Sequence, residues 1–540
     1  MIKKRRTQSL VAFLLCFALT TGAATRVRAQ EEEQQQGQQQ RERRVEASTT
    51  PAPSSRAAPK NLAELRARIQ EILARPELAP AQVAVKVASL DTGRVLYEED
   101  AIKLLHPASV MKIYTLAAAL DRLTPDFRFK TSVYAASKPD ASGTVRGDLI
   151  IYGRGDPSLA ARFNNGDYNK AIDELAARIA AAGVKRVEGD LIGDESYFTG
   201  APHGFGWEWA DLQWHDGAEV SALSVNDNAL DLFVKPGATA GSSCTITTGP
   251  VTPLVTFTNR TTTTARGTKR ELSVYRGLGE NVFELGGSLP LGDPGWSGSI
   301  AAPHPALVFT YMLRASLAGR GVMVTGRSRT IDAHERAGVP LQTNALTEIT
   351  NLQSPPLSEI AAQTLKPSEN LYAELVLRSL GNTVRTDAKL TSEEAGVEAV
   401  KAFLREAGAE TSLLVLTDGS GLSRRDLVTA ETTLKLLAYM DRHRYAKAFR
   451  DALPIAGVDG SLRNRMKGTL AANNVRAKTG TLPTIATLSG YVTSAAGERL
   501  VFSILINNYP DTTGSRRSYI DEIAVLLASF NGKPGEQSLK

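Results

Sequence analysis

Three short runs in this chain carry groups that could act on a carbonyl. The first is Ser109-Val110-Met111-Lys112, within a stretch, 106–120, whose apolar residues run all the way round. That pattern predicts a buried helix, not a surface one. On it Ser109 and Lys112, three residues apart, share a face. Burial disfavours the charged form of lysine, and a hydroxyl beside a neutral amine is an activated nucleophile. The second run, Pro367-Ser368-Glu369-Asn370, offers a hydroxyl and an amide at an expected helix start. The third, Lys478-Thr479-Gly480-Thr481, offers a cation and two hydroxyls on an expected strand. Singly, each has an ordinary explanation: a serine–lysine pair on a helix surface, Ser368 as a helix cap, Lys478 as a solvated strand lysine. The three in order, each on an element able to present it, are the stronger signal.

The elements that must hold these groups follow from periodicity. Asn61 is a candidate N-cap for a helix carried by Leu62, Leu65, Ile69, Ile72 and Leu73 and stopped by Pro76. Alternation at Val83, Val85 and Val87 predicts a strand, Asp91-Thr92-Gly93 a turn, and 94–98 the returning strand. The Ser109 helix then ends near Thr124-Pro125. From about 127 to 345 the texture changes to short β-like runs (130–135, 148–152, 254–257, 271–275) among Gly, Asn and Thr clusters. Helical patterns interrupt them at about 169–183 and 305–319. Helices are expected again over 357–365, 369–380, 392–407, 429–443 and 446–452. Strands at 475–479, 486–493 and 499–507 and a closing helix over 516–530 complete the chain. Strands at both ends with helices between argue for one α/β (α+β) domain, 61–126 plus 346–540. A strand-rich insertion over 127–345, of one or two small domains, would split it in sequence.

The 540 residues carry a formal charge of +6, but Lys3, Lys4, Arg5, Arg6, Arg26 and Arg28 lie in the first 29 residues, which hold no acid. Without those six, 57 basic residues face 57 acidic ones, and no electrostatic case for a nucleic-acid partner remains. The basic start, an apolar run over 10–19 and Val27-Arg28-Ala29 before Gln30 read as a secretory signal peptide, 1–29. Export to the periplasm or extracytoplasmic envelope is therefore expected, with retention of the leader as an anchor the alternative. The apolar run falls short of the roughly 20 residues of a membrane span, so membrane association is expected to be peripheral at most. Residues 30–60, acidic, then Gln-rich, then rich in Ser, Thr, Pro and Ala, read as a disordered tether. Cys16 would leave with the leader, and Cys244 then has no partner for a disulfide.

Ser-x-x-Lys, a Ser-x-Asn triplet and Lys-Thr-Gly in this order form the signature of class A β-lactamases and penicillin-binding proteins. Further stretches carry the likeness over roughly 62–531. They include Gly206-Trp207-Glu208-Trp209, Ser221-Ala222-Leu223-Ser224-Val225-Asn226-Asp227-Asn228, Asp418-Gly419-Ser420-Gly421-Leu422-Ser423-Arg424 and Gly457-Val458-Asp459-Gly460-Ser461-Leu462-Arg463. The chain resembles the D-alanyl-D-alanine carboxypeptidase/endopeptidase family, the class C low-molecular-mass penicillin-binding proteins. The resemblance implies a serine β-lactamase/D,D-peptidase-like fold, an antiparallel sheet with a helical cluster, and identifies 127–345 with the family's large insertion.

Roles come with the resemblance. Ser109 would form an acyl-ester, Lys112 would accept its proton, and Ser368 would relay a proton to the leaving group. Asn370 would hold a substrate amide, Lys478 the terminal carboxylate, and Thr479 would add a hydroxyl. Gly480 belongs to the same substrate-binding strand, and the backbone N–H groups of Ser109 and Thr481 would form the oxyanion hole. No cofactor or metal is implied. Substrates would be peptidoglycan stem peptides ending in D-Ala-D-Ala, with D-Ala–diaminopimelate crosslinks as a second class. β-Lactam antibiotics would acylate Ser109 by mimicking the dipeptide. The deacylation base stays unassigned, with Lys112 a candidate to serve twice. Glu369 stands where the signature has Asp, at a position that varies among these families.

Other signals are weaker. The histidines (106, 203, 215, 304, 334 and 443) show no paired metal spacing, and no Gly-x-Ser-x-Gly occurs. Phe205, Trp207, Trp209 and Trp214 could stack on sugars, though packing a long loop is the simpler role. Asp227, between Asn226 and Asn228, reads as a turn residue bonding its own backbone. Two alternatives stay open: a β-lactamase or esterase with the same acyl-serine chemistry, and a wall-binding pseudoenzyme. The oligomeric state is unknown.

Overall fold

The computed structural model describes residues 58–336, 341–509 and 516–532. The expected signal peptide, and the expected tether apart from 58–60, lie outside the described residues. Helix α1 (Leu62–Leu73) opens as its sequence demands, with the Asn61 side chain accepting from the Glu64 N–H at 2.9 Å. Strands β1 (Gln82–Ser89) and β2 (Val95–Glu99) follow, then a 3-10 turn, Ala108–Val110, leading into α2 (Met111–Leu123). In the second half come α3 (Asn370–Val384), α4 (Ser392–Glu406), α5 (Ala430–Asp441), β3 (Arg476–Leu482), β4 (Ile485–Thr493), β5 (Arg499–Asn507) and α6 (Arg516–Ser529).

One five-stranded sheet joins the two ends of the chain. Its order is β3-β4-β5-β1-β2, antiparallel throughout. Gln82 pairs with Asn507 and Ser89 with Leu500, so β1 lies along the full length of β5. Both faces are covered. Val85, Leu488, Phe502 and Ile504 pack with Leu65 and Ile69 of α1 and Ile523 and Leu527 of α6. Ala84, Tyr491, Val501 and Leu505 pack on the other side with α2 and the helices around it. This double covering is why β5 reads as an almost unbroken apolar run and not as an alternation.

Helix α2 is the hub of that second core. Every residue in it except Arg122 is buried, including Lys112, which explains the absence of a single apolar stripe. It touches α3, α4 and the helix Leu357–Leu365.

The middle of the chain builds its own sheets. The strands Lys130–Ala135, Leu149–Tyr152, Leu191–Asp194, Ser328–Ile331 and Thr347–Gln353 form one five-stranded sheet. Thr347–Gln353 lies past residue 345 yet pairs antiparallel with Lys130–Ala135. Three-stranded sheets make up the rest, including one from Ala229–Lys235, Thr245–Gly249 and Trp296–Ala301. These strands have weak sequence signatures because they are short and partly exposed; Thr245–Gly249 has only half-buried and exposed positions. The run expected at 254–257 is instead Thr256–Thr264, whose threonines are polar in composition but β-branched and suited to a pleated surface. Among the described residues, no helix is long and apolar enough to cross a membrane.

Candidate active site

The site forms where the start of α2, the start of α3 and strand β3 meet. Ser109 is half-buried in the 3-10 turn ahead of α2. The residue before it, Ala108, has φ of 45°, a left-handed conformation that costs a non-glycine residue roughly 1–3 kcal/mol unless its surroundings hold it. Gly421 provides part of that hold. A Cβ there would lie 2.0 Å from the Ala108 carbonyl oxygen, so only glycine admits so close an approach.

One helical turn on, Lys112 is fully buried, and its Nζ has three neighbours. Ser109 Oγ is at 2.9 Å, Asn370 Oδ1 at 2.6 Å and the Ser420 carbonyl at 2.9 Å. The Asn370 amide cannot be turned round, because its Nδ2 donates to the Asp216 carbonyl at 2.9 Å. Asn370 Oδ1 and the Ser420 carbonyl are therefore both obligate acceptors. A neutral amine has two N–H bonds and one lone pair; with both N–H bonds so committed, the lone pair faces the Ser109 hydroxyl. Burial pushes the Lys112 amine down to about 8, against the pull of Asp418 and Glu374 behind it. Glu374 accepts from the backbone N–H groups of Gly419 at 3.0 Å and Ser420 at 2.8 Å, which fixes the carbonyl that Lys112 uses. Burial and the neighbouring Asp418 push the Glu374 carboxyl up to about 8.

The second group of contacts centres on Lys478. Its Nζ donates to Ser368 Oγ at 2.8 Å and to the Thr479 carbonyl at 2.8 Å. Burial, and then the nearby Lys112, push this amine well below the ordinary lysine range. Ser368 has φ of 74°. Thr479 shares a hydrogen bond of 2.7 Å with the Ser461 hydroxyl. Gly480 lets β3 run against the Pro107-Ala108-Ser109 segment: a Cβ there would meet Thr487 Oγ1 at 2.2 Å and the Pro107 carbonyl at 2.7 Å. The Thr487 hydroxyl donates to that carbonyl at 2.8 Å. Thr481, half-buried, lies two residues on from Thr479 and so on the same face of the strand.

The structure thus links Ser109, Lys112 and Asn370 in one hydrogen-bonded group, joins Ser368 to Lys478 in another, and carries Thr479, Gly480 and Thr481 along the adjoining strand. Several participants had no individual signal in the sequence: the Ser420 and Asp216 carbonyls, Glu374, and Arg162. The glycines around Ser420 hint at close backbone approach, but not at which carbonyl faces a lysine. Asp227 differs from expectation. It has φ of 58° and accepts from Arg162 Nη2 at 3.1 Å and from the Tyr372 hydroxyl, while Asn228 makes the local bond to the Val225 N–H at 3.0 Å. Trp207 packs as the simpler role has it, its indole N–H donating to Asp418 at 2.9 Å. His106 sits 3.0 Å from the Asp426 carbonyl through Nδ1.

Residues 65–529 match the model of the D-Ala-D-Ala carboxypeptidase 3 (S13) family. The chain is 35% identical over 487 residues to a D-alanyl-D-alanine carboxypeptidase of Actinomadura sp. (strain R39), covering 88% of this chain and 86% of that one. It is 26% identical over 436 residues to the D-alanyl-D-alanine carboxypeptidase DacB of Haemophilus influenzae, covering 80% and 86%. Among solved structures, penicillin binding protein 4 (dacB) from Haemophilus influenzae superposes with a TM-score of 0.73 at 23% identity, over 86% of this chain and 99% of that one. The fold is therefore the one that protein has.

Proposed function

Since this chain belongs to the D-Ala-D-Ala carboxypeptidase 3 (S13) family and is a D-Ala-D-Ala carboxypeptidase, we propose that it cleaves peptidoglycan stem peptides through an acyl-enzyme on Ser109. The observation that carries this is the Lys112 amine, buried and 2.9 Å from Ser109 Oγ with its other two contacts both acceptors.

The steps follow from those positions. Neutral Lys112 takes the Ser109 proton as Oγ bonds to the carbonyl carbon of the penultimate D-Ala. The carbonyl oxygen becomes an oxyanion, stabilised by the backbone N–H groups of Ser109 and Thr481. Collapse breaks the C–N bond, and the proton that Lys112 took from Ser109 passes through the Ser368 hydroxyl to the departing D-Ala amine, which leaves Lys112 neutral again. Lys478 faces the terminal carboxylate, with the Thr479 hydroxyl beside it, and Asn370 offers its remaining amide N–H to the substrate backbone. Water then attacks the ester, and Lys112, returned to its neutral form, serves as base a second time. β-Lactams enter the same first step and leave a longer-lived ester.

The leader over 1–29 directs the protein out of the cytoplasm to the envelope, which holds its substrate; mass spectrometry of the exported protein is expected to find Gln30 at the N-terminus, and an intact leader would refute cleavage. D-Ala–diaminopimelate crosslinks are proposed as a second substrate class. The central experiment is time-resolved labelling with a fluorescent penicillin. A persistent adduct that disappears in Ser109→Ala supports the carboxypeptidase mechanism. Rapid hydrolysis of the label would favour a β-lactamase, and no adduct on folded protein would overturn the acyl-enzyme.

A further inference from the structure

Glu369 lies between two site residues, Ser368 and Asn370, and has no part in the steps above. Its side chain is only 6% exposed, and it accepts from Arg162 Nη2 at 2.8 Å. The same nitrogen reaches Asp227 Oδ2 at 3.1 Å. Asp227 also accepts the hydroxyl of Tyr372, in the first turn of α3, and the Arg162 guanidinium carbon lies 5.8 Å from the centre of the Tyr372 ring. Arg162 and Asp227 both come from the middle of the chain, so two carboxylates, one guanidinium and one phenol tie that region to the Ser368-Glu369-Asn370 turn. The Asn370 bond to the Asp216 carbonyl is a further tie of the same kind.

The turn requires such a restraint. Ser368 holds φ of 74°, a conformation that a serine keeps only when its surroundings impose it. A charge-assisted bond to a planar guanidinium is a strong and directional restraint. Burial and the closeness of Asp227 both push the Glu369 carboxyl up, and His215 and Arg162 oppose them. Without Arg162, the buried Glu369 carboxylate would be left facing the part-exposed Asp227 carboxylate. The turn would then lose its anchor.

We propose that Arg162, together with Asp227, is a positioning residue. It clamps Glu369 so that the Ser368 hydroxyl stays on Lys478 and the Asn370 carbonyl stays on Lys112. This rests on the acyl-enzyme reading of Ser109, which penicillin labelling of the unaltered protein tests separately: no Ser109 adduct there would sink the mechanism, whereas the variants below test only the clamp.

The decisive variant is Arg162→Met/Glu369→Gln in the otherwise unaltered protein, because it removes the clamp without leaving the buried Glu369 carboxylate unpaired, while the part-exposed Asp227 keeps the Tyr372 hydroxyl. If Arg162 merely neutralised a buried charge, this double change would be silent. As a positioning role, it predicts a kcat on a D-Ala-D-Ala peptide lowered by about tenfold or more, since small displacements of catalytic groups are costly. KM is expected to change by less than about threefold, because the loss lies in the transition state. Arg162→Lys, which keeps a cation opposite Glu369, is expected to retain at least about a third of the kcat. A folded double variant with kcat within about twofold of the unaltered protein, or a loss confined to KM, overturns the proposal. Should the double variant not fold, Tyr372→Phe removes a single hydroxyl from the brace. A kcat lowered about threefold at constant KM is then expected, and an unchanged kcat would overturn the clamp.

Discussion

The pH dependence of acylation offers the sharpest test of how Lys112 works. Burial brings its amine from the ordinary lysine range down to about 8, and only the neutral form can accept the Ser109 proton. At pH 7 about 9% of such an amine is neutral, at pH 8 about half and at pH 9 about 90%, whereas an ordinary lysine near 10.4 would be only about 0.04% neutral at pH 7. Burial thus raises the reactive fraction at neutral pH by about 200-fold, equivalent to about 3 kcal/mol. The second-order rate of Ser109 acylation by a penicillin, measured by stopped flow, should climb about tenfold from pH 7 to pH 9 and level off above. Glu374 also titrates near 8 and could imitate this profile, so Glu374→Gln is the control. It should keep the inflection but move it downward, because a nearby anion raises a lysine pKa and that anion is gone. Lys112→Met, close in length and unable to take a proton, should cost about 10²–10⁴-fold in acylation, the usual worth of a general base. A rate independent of pH between 6 and 9, or an inflection lost in Glu374→Gln, would refute the assignment.

Three further outcomes follow from the same geometry. Lys478 is held well below the ordinary lysine range in the free protein, and an arriving carboxylate should restore its charge. Binding of a peptide with a free terminal carboxylate to Ser109→Ala should therefore take up a proton, visible as a buffer-dependent calorimetric enthalpy that the amidated peptide lacks; identical enthalpies across buffers would rule this out. Ser368→Ala removes the hydroxyl that Lys478 contacts at 2.8 Å, and kcat should fall about 10²-fold if Ser368 carries the leaving-group proton. An unaltered kcat would exclude that relay. Gly480→Ala would drive a methyl group into Thr487 and the Pro107 carbonyl; denaturant melts should show a loss of about 1–3 kcal/mol, with labelling of Ser109 reduced, and a variant as stable and reactive as the parent would show that the strand can move aside.

Much of the frame was legible in the sequence because its signals are local. The helices Leu357–Leu365 and Ala446–Ala452 and strand β5 have the limits that their periodicity predicts. Ser109 and Lys112 meet because residues three apart are neighbours across the 3-10 turn that leads into α2, as they are on a helix. The short strands of the middle region were less legible, since a small sheet with an exposed face leaves a weak alternation.

The sequence alone determined which groups are present: a serine one turn from a lysine on an all-round apolar helix, a second serine with an asparagine, and a lysine followed by a glycine on a strand. Only the tertiary structure decided what state those groups are in. The acceptors that turn the Lys112 lone pair toward Ser109 come from positions 258 and 308 residues away, and one of them is a backbone carbonyl, which any residue type supplies. Asp227 reads locally as a turn residue, yet its carboxylate serves Arg162 and Tyr372 across the fold. A motif records side chains in order, whereas protonation and orientation depend on burial and on partners that meet only when the chain closes on itself.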